Sequence, residues 1–554
     1  MKRLFLYIIV LCCYCGVAAQ EQDQEKQGSG VKLTGSIQSD MLVPMNDDAI
    51  GAEKTEDFQT NTYVDLMLQS KYVDAGLRLE YLDHPLPGFE KDFKGWGVPN
   101  FWVKGRYKNT ELTLGSFYEQ FGLGLILRTY EQRALGIDNS LMGARLITRP
   151  VKGLTIKALS GRQRRYWDWN KGLVSGADAE VNINEWIPAL RDRGTELMIG
   201  GSWVNKYEKQ EDIFVDPTHK YNLPEYVNAW DVRASLNTGP WSILAEYAQK
   251  TQDPSFDNGY NYDKGTAAVL SGSYSNNGLS ILLQAKRSEN MSFRSRRSMI
   301  GTSSFINHLP AFTQDQTYAL AALYPYATQL AGGEWAYQAE VGYNFKRKTK
   351  LGGKYGMNLK LNFSHVRWKG ETFYQDIDLT MTRKLSSSVK LILMYMNQRY
   401  NQTVVEGHGG MIRSNIFIAD VKFQLSKKAS IRTELQYMIR SDDDLDWGYD
   451  FAVLALAPHW MFSINDVYKG DWAYGLIELS LAPHWMFSLS DMYNVGDTKT
   501  HYYHGDVTFS AAGHRVSLGF GRTRAGYNCS GGVCRYVPAS RGFTLSYNYN
   551  FSIL

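Results

Sequence analysis

The chain has 554 residues, of which 13% are aromatic and 21% are charged, and it contains 50 glycines. This composition is typical of β-structure with many turns, and it excludes an intrinsically disordered protein. The formal net charge of +4 falls to +2 if Lys2 and Arg3 leave with a leader. The charge therefore gives no reason to expect a nucleic-acid partner.

The first residues have the pattern of an export signal. Two basic residues precede the apolar run "LFLYIIVLCCYC", and small residues stand before Gln20. We therefore predict that residues 1–19 are a signal peptide that is removed on export. After this signal the sequence contains no run of about 18 apolar residues, so we predict no helical membrane anchor.

Segments of alternating apolar and polar residues recur along the chain, at 77–81, 230–236, 335–345, 357–364 and 431–439. The last such segment, "GFTLSYNYNFSIL", has an apolar side chain at every second position from Phe543 to Ile553. A period of two gives a strand one apolar face and one polar face. Several alternations hold for about ten residues, the length that a tilted strand needs to cross a bilayer, and this favours a transmembrane barrel over a soluble β-sandwich.

The connections between these segments support the same fold. Tight segments such as "NTGP", "SNNG" and "AAGH" alternate with long polar ones, as expected for periplasmic turns and outer loops. We predict an all-β fold, a large antiparallel up-and-down transmembrane β-barrel of about 26 strands (24–26). This count includes a strand at "GADAEVNIN" and a turn at "EWIPALRDRG". This barrel would form one outer-membrane domain at 31–554, after a short periplasmic segment at 20–30.

A barrel of this size would enclose a lumen too wide to stay open without leakage, so we expect inward-folded loops to plug it. Residues 119–139 carry charges among apolar residues, and residues 288–332 contain a helix-like run from about Gln314 to Leu330. The residues that we assign to the plug loops are Arg128, Glu131, Arg133, Asp138, Tyr318 and Tyr324. For 119–139, the alternative that the charges are solvated stays open.

The polar faces of the predicted strands would line the lumen. The charged residues predicted to point inward are Arg78, Asp231, Arg233, Glu340, Lys360, Asp376, Asp378, Asp420, Lys422, Arg432 and Glu434. Neither sign of charge dominates, so no ion selectivity is predicted. We favour cross-strand ion pairs that stabilise a polar wall over a track for a substrate.

A repeat stands near the C-terminal end of the chain, where "LAPHWMFSINDVY" at 456–468 recurs as "LAPHWMFSLSDMY" at 481–493. We interpret the repeat as a duplicated β-hairpin. Its tight turns would lie at the periplasmic interface. Trp460 and Trp485 are predicted to belong to an aromatic belt there.

Cys529 and Cys534 are the two cysteines outside the predicted signal peptide. They enclose four residues, two of them glycine, a spacing that suits a disulfide-closed loop tip in an oxidising compartment. A metal-binding pair is the alternative, but no histidine stands beside them and two thiolates rarely suffice. We predict no metal site and no cofactor.

No catalytic signature stands out in the sequence. The chain has no G-x-S-x-G motif, and the S-x-x-K spacing from Ser387 to Lys390 falls at a predicted turn. We therefore expect that the protein is not an enzyme.

The stretches "GSFYEQFGLGLILRTYEQRALGIDNSLMGARL" and "HLPAFTQDQTYALAALYPYATQ" resemble a family of large outer-membrane barrel proteins of the Bacteroidota that carries an unknown-function label. The resemblance implies a barrel in the outer membrane of a Gram-negative bacterium, and it brings no binding residues. We expect contact with outer-membrane lipids, insertion by the barrel-assembly machinery, and envelope protein partners. The expected role is a plugged transport channel or an accessory part of an assembly or secretion machine; an outer-membrane enzyme and a purely structural envelope protein are the alternatives.

Overall fold

A computed structural model describes residues 30–299, 303–326, 332–441, 470–496, 498–530 and 533–553. In chain order the strands are β1 (Lys32–Pro44), β2 (Gln59–Gln69), β3 (Val73–Leu82), β4 (Gly95–Tyr107), β5 (Thr110–Phe117), β6 (Glu131–Gln132), β7 (Ile137–Asp138), β8 (Leu141–Thr148), β9 (Leu154–Arg165), β10 (Asp168–Asn182), β11 (Thr195–Tyr207), β12 (Tyr226–Thr238), β13 (Trp241–Lys250), β14 (Gly265–Asn276), β15 (Leu279–Glu289), β16 (Glu334–Phe345), β17 (Met357–Trp368), β18 (Glu371–Lys384), β19 (Val389–Asn401), β20 (Met411–Gln424), β21 (Ala429–Ser441), β22 (Trp472–Leu481), β23 (Trp485–Asn494), β24 (His501–Ala511), β25 (His514–Thr523), β26 (Gly526–Ser530), β27 (Val533–Val537) and β28 (Ser540–Ile553).

Helical structure is limited to short connecting segments in the described part of the chain. These are the 3-10 helices Lys91–Phe93, Arg133–Leu135, Ile183–Glu185 and Phe256–Asn258, and the α-helices Pro188–Asp192 and Gln402–Glu406. None of the helices in these described ranges is long and apolar enough to cross a membrane.

The strands form one closed antiparallel barrel. Within the described residues, 24 strands share one sheet, each pairs with the next along the chain, and β1 pairs with β28 to close the ring. Strands β6 and β7 form one separate two-stranded sheet, and β26 and β27 form another. The predicted all-β, up-and-down antiparallel barrel is therefore confirmed.

The strand number is 24 rather than about 26. Strands β21 and β22 pair directly with each other, whereas a duplicated hairpin would have placed two further strands between them. The second copy of the repeat forms the turn between β22 and β23 together with β23, and the first copy, with Trp460, lies outside the described residues. The predicted signal peptide at 1–19 and most of 20–30 also lie outside them.

The strand and turn predicted near residues 176–194 are present in the structure, but the helix predicted in the second long loop is absent from its described residues. The segment "GADAEVN" belongs to β10, and "EWIPALRDRG" lies in the connection to β11. The helix predicted from about Gln314 is wrong for the described residues 314–326, which form turns, bends and irregular structure. One reason is that the backbone N–H of Leu320 donates to the side chain of Gln436 on β21 rather than to a helical carbonyl.

The two rims of the barrel differ. At one end, which we call the short-turn rim, lie the first residues of β1, the last residues of β28 and the connections 183–194, 239–240, 277–278, 346–356 and 512–513. Asn277 and Gly278 have φ of 49° and 89°, as the type I′ turn of a two-residue hairpin requires. The other end, the long-loop rim, carries the connections 118–140, 208–225, 251–264 and 290–333.

The strand faces are the reverse of those in a soluble protein. On β12 the outward side chains of Trp230 and Val232 are 39% and 53% exposed, whereas the inward Asp231 and Arg233 are 2% and 6% exposed. Exposure of such an apolar outer surface to water is unfavourable in free energy, whereas contact with hydrocarbon is not. The outer surface therefore suits contact with lipid.

Candidate functional site

Two long connections pack against the inner wall of the barrel. We call residues 118–140 the first inner loop and residues 290–333 the second inner loop. Their fully buried apolar side chains form one cluster with inward-facing wall residues such as Val204, Ala248 and Met396. The loop members of this cluster include Phe121, Leu125, Ile126, Leu127, Met291, Phe293, Ile306, Leu309 and Phe312. Part of the barrel interior is therefore a close-packed apolar core.

The two inner loops are also joined to each other. The Arg128 N–H donates to the Ile306 carbonyl at 2.8 Å, and the His308 N–H donates to the Gly124 carbonyl at 3.0 Å. The Asn307 side chain donates to the Leu125 carbonyl at 2.9 Å. Because these bonds satisfy buried backbone groups of both loops, the loops form one folded unit.

Gly122 lets the first inner loop approach the wall. A Cβ at this position would lie 2.5 Å from a carboxylate oxygen of Glu246 on β13, and the residue has a φ of +51°. The N–H of the next residue, Leu123, donates to the same carboxylate at 2.8 Å. A side chain at position 122 would therefore push the loop away from this bond.

Charged side chains attach the first inner loop to the opposite part of the wall. Glu131 accepts two bonds from Arg78 on β3, at 2.7 and 3.0 Å, and Arg133 lies 2.7 Å from Asp65 on β2. We call the whole group the Arg78 cluster: Asp65, Arg78, Glu80, Glu131, Arg133, Asp138 and Arg164. Three guanidinium groups thus alternate with four carboxylates, and the charges of this loop are paired inside the barrel.

Arg164 on β9 is the most buried cation of the Arg78 cluster. Its guanidinium contacts Glu80 and Asp138, both at 2.6 Å. Burial disfavours the charged form of Asp138, but the guanidinium groups of Arg164 and Arg78 outweigh it and hold the pKa of Asp138 below its usual value. The hydroxyl of Tyr118 donates to Asp138 at 3.0 Å, and burial together with this carboxylate raises the pKa of Tyr118 well above its usual value.

The second inner loop covers buried lysines of the wall. Phe293 lies 5.7 Å from the ammonium of Lys206 on β11 and also 5.7 Å from that of Lys250 on β13. Asp253 contacts the same two lysines, at 2.6 and 3.2 Å. Arg297 in the loop lies 3.0 Å from Glu208. These fully buried cations therefore all have carboxylate partners, as burial of a charge requires.

The second inner loop also contains a buried histidine, His308. Burial, together with the nearby Arg128 and Lys286, lowers the pKa of His308 to about 3. The imidazole is therefore neutral at physiological pH, and a proton would put an unpaired charge inside the packed loops.

The structure brings several of the predicted inward residues together. Asp231 and Arg233 are 2.9 Å apart, and Arg233 also reaches Asp178 at 2.5 Å. Asn362 donates to Asp376 and Asp378 at 3.1 and 3.2 Å. Among the other residues predicted to face inward, Lys360 pairs with Glu340 at 2.6 Å, and Arg432 pairs with Asp420 and Glu434.

The predicted residues of the second inner loop meet this same part of the wall. The hydroxyl of Tyr318 donates to Asp420 at 3.2 Å, and Gln398 donates to the carbonyl of Tyr324 at 3.1 Å. Gln316 donates to Asp378 at 3.1 Å. Lys422 is different, because its side chain is exposed near the short-turn rim.

Two further predictions concern residues that are not part of the inner loops. Trp485 begins β23 at the short-turn rim, is exposed on the outer surface and packs on Phe509 at 4.8 Å between ring centroids. The hairpin of β26 and β27 places the backbone of Cys529 opposite that of Cys534. The disulfide between them stays a prediction.

Sequence reasoning missed several charged residues that hold the loops. Glu246 and Lys250 follow the alternation of "SILAEYAQK" and could have been found from it. Arg164 could not, because the register between β9 and β10 shifts just before it, between the pairs Arg162–Leu173 and Arg164–Trp169, and this breaks the alternation. Asp253 and Arg297 lie in connections, where no periodicity indicates a direction.

A second region of the wall is lined differently. We call β22–β25, β28 and β1 the solvated sector and β9–β21 the packed sector. At the long-loop end of the solvated sector, Trp472, Tyr474, Met492 and Tyr502 face inward and pack in or against the apolar cluster. The other inward side chains of this sector are mostly polar and half-buried or exposed; they include Ser36, Gln38, Ser488, Ser490, His504, Asp506, Ser517, Ser546, Asn548 and Asn550. Near the long-loop rim, Arg535 of β27 donates to the Leu135 carbonyl at 2.5 Å, so the hairpin of β26 and β27 contacts the first inner loop.

Solved structures with a similar fold include three barrel proteins. The P pilus usher (PapC) translocation pore is 12% identical, with 94% of this chain and 100% of that chain covered and a TM-score of 0.43. OccK1 (OpdK) of Pseudomonas aeruginosa is 10% identical over 94% and 99% of the chains, with a TM-score of 0.36. The siderophore receptor PirA of Pseudomonas aeruginosa is 8% identical over 96% and 81%, with a TM-score of 0.39.

Sequence comparison identifies the family. None of the curated proteins matches the chain. The model of a family of unknown function (DUF6029) matches residues 1–470 and 467–551. The two matches together cover nearly the whole chain, and the protein therefore belongs to this family of unknown function.

Proposed function

We propose that the protein is an integral outer-membrane β-barrel that works as a plugged transport channel. The inner loops close the packed sector, and solute moves along the solvated sector. In this proposal the chain is exported, loses residues 1–19, is inserted by the barrel-assembly machinery and is surrounded by outer-membrane lipids.

The outer surface supports a membrane location. Exposed leucine, valine and aromatic side chains occur on strands all around the barrel, for example Leu79, Phe101, Leu270 and Leu435. A closed barrel leaves no unpaired strand edge, which is the condition for spanning hydrocarbon with β-structure. The short-turn rim would then face the periplasm and the long-loop rim the outside.

The contrast between the two sectors carries the proposal. In the packed sector, inward side chains such as Val204, Ala248 and Met396 are fully buried beneath the inner loops. In the solvated sector, inward side chains such as Ser490, Asp506 and Asn548 keep contact with solvent. A purely structural barrel has no need of a hydrophilic inner surface on one side only. A channel needs one polar path and a means of closing the rest.

Conductance of the purified protein tests the proposal. The protein would be extracted in detergent from its native envelope, co-eluting proteins identified, and single-channel currents recorded in planar bilayers. We expect small steps from the wild type and larger, longer steps from R78A/R164A, which removes two anchors of the first inner loop. The control R149A removes a cation that is half exposed near the short-turn rim, and it should conduct like the wild type.

Two outcomes would contradict the channel. Silent bilayers with both the wild type and R78A/R164A, with heat-modifiable migration on gels showing intact barrels, would indicate a sealed scaffold. Silence together with stoichiometric envelope proteins in the eluate would indicate an accessory part of an assembly or secretion machine.

A further inference from the structure

Three lysines stand side by side on the inner wall at the short-turn rim. Lys384 on β18 is the register partner of Lys390 on β19, and Lys390 is the register partner of Lys422 on β20. All three side chains are exposed. Neighbouring strands lie about 4.8 Å apart, so the row spans about 10 Å.

The direction of these lysines follows from strand alternation. Lys384 has the parity of Asp376 and Asp378, and Lys422 has that of Asp420, all of which are buried inside the barrel. Lys390 has the parity of the buried Met396. The row therefore faces the mouth of the lumen, and lipid headgroups around the barrel meet the opposite face of the strands.

The row has no carboxylate partner among the described residues. The next register partner of Lys422 is Arg432, whose charge is matched by Asp420, Glu434 and Glu478. No carboxylate lies within ion-pair distance of Lys384, Lys390 or Lys422 in the described part of the chain. Like charges directly opposite each other on neighbouring strands are destabilising. Repulsion among the three ammonium groups therefore destabilises the unliganded protein, and a bound anion would reduce this repulsion.

A connection rich in cations borders the row. Residues 346–356, "KRKTKLGGKYG", contain five basic residues and no acidic residue. The segment is folded by its own hydrogen bonds: Lys348 N–H donates to the Gly353 carbonyl at 2.6 Å, and Gly356 N–H donates to the Gly352 carbonyl at 2.8 Å. An open groove of about 500 Å³ lies here, lined in part by Asn344, Lys346, Arg347, Asn358, Lys384 and Lys390.

We propose that this mouth of the lumen binds a multivalent anion of small-molecule size, a polyphosphate or a polycarboxylate. Ammonium groups bind phosphate and carboxylate oxygens as point charges, and a row about 10 Å long matches several anionic groups rather than one. A groove of about 500 Å³ is within the usual size of small-molecule sites. The site goes beyond the proposed channel and does not depend on conduction.

Calorimetric titration of the full chain in detergent tests the site, with inorganic tripolyphosphate and citrate as separate probes. We expect at least one probe to bind in the micromolar range at low salt and to weaken as salt is raised. The variant K384Q/K390Q/K422Q should bind that probe at least about tenfold more weakly. The variant K32Q/K71Q/K108Q removes the same charge from exposed lysines on the other side of the same rim and should bind like the wild type.

The outcomes are distinct. Binding of tripolyphosphate alone identifies a phosphate site, and binding of citrate alone identifies a carboxylate site. Equal affinity of the wild type and K384Q/K390Q/K422Q, or no binding of either probe at about 1 mM, overturns the proposal. Thermal unfolding separates this result from misfolding, because removal of three mutually repelling charges should leave the unfolding temperature of the variant unchanged or raised.

Discussion

The packed and solvated sectors belong to one barrel with one alternating pattern, yet their inner faces have different chemistry. Inward positions of the packed sector hold Val204, Ala248 and Met396 beside buried charges. Away from Trp472 at the long-loop rim, those of the solvated sector are mostly polar residues such as serine, threonine and asparagine. A lumen this wide cannot be filled by wall side chains alone. Apolar residues on an inward face therefore indicate that a loop covers them.

The charges of the two sectors also have different costs. Buried charges of the packed sector need their partners, because an unpaired charge in a dry interior is strongly unfavourable. Charges of the solvated sector keep water, so a missing partner matters little. We therefore expect removal of a buried, paired charge to lower the free energy of unfolding much more than removal of a hydrated charge.

The largest effect is expected from R164A. The side chain of Arg164 is 3% exposed, and its loss leaves Glu80 and Asp138 buried without their nearest cation. We expect a loss of about 3–5 kcal/mol in the free energy of unfolding, measured by urea titration in detergent micelles. The control R149A should cost less than about 1 kcal/mol, because that pair is half exposed. Equal effects of the two variants would contradict a dry Arg78 cluster.

The second effect is a dependence of stability on pH through His308. Its pKa is about 3 in the folded protein and 6.5 ordinarily, so the unfolded chain binds the extra proton between these values. Stability is therefore full above pH 6.5 and falls on acidification, by up to about 1.4 kcal/mol per pH unit. Limited proteolysis of the inner loops from pH 7 to pH 4 measures this.

The variant H308Q should flatten that pH profile. Other buried carboxylates also titrate, so the difference between the wild type and H308Q is the quantity to compare. Identical profiles for wild type and H308Q would show that this imidazole is not held neutral by the packed loops.

The smallest changes in the free energy of unfolding are expected from substitutions of two inward-facing amide side chains. Gln163 is fully buried and donates to the Phe305 carbonyl of the second inner loop at 2.6 Å, whereas Asn548 is half-buried in the solvated sector. We expect Q163A to cost about 1–3 kcal/mol, because a buried carbonyl loses its donor. N548A should cost less than about 0.5 kcal/mol in the same urea titration. A larger cost for N548A would remove the distinction between the sectors.

Strand alternation assigns a direction to residues on regular strands. Asp231 and Arg233 on β12, and Asp376 and Asp378 on β18, alternate with apolar neighbours, and the structure buries them inside. Alternation could not show that Arg164 reaches Glu80, since these residues are 84 positions apart. It also could not show that Leu320 meets Gln436, where a helix was expected.

The β-fold, the antiparallel order and the two faces of each strand could be predicted from the amino-acid pattern, because a period of two is a local property of the chain. The tertiary structure decided the closure with 24 strands, the loops that pack on the inner wall, and the partners of the buried charges. These features depend on contacts between residues far apart in the chain. For the lysine row, the alternation along each strand sets the direction of each side chain. Only the register between β18, β19 and β20 places the three lysines side by side.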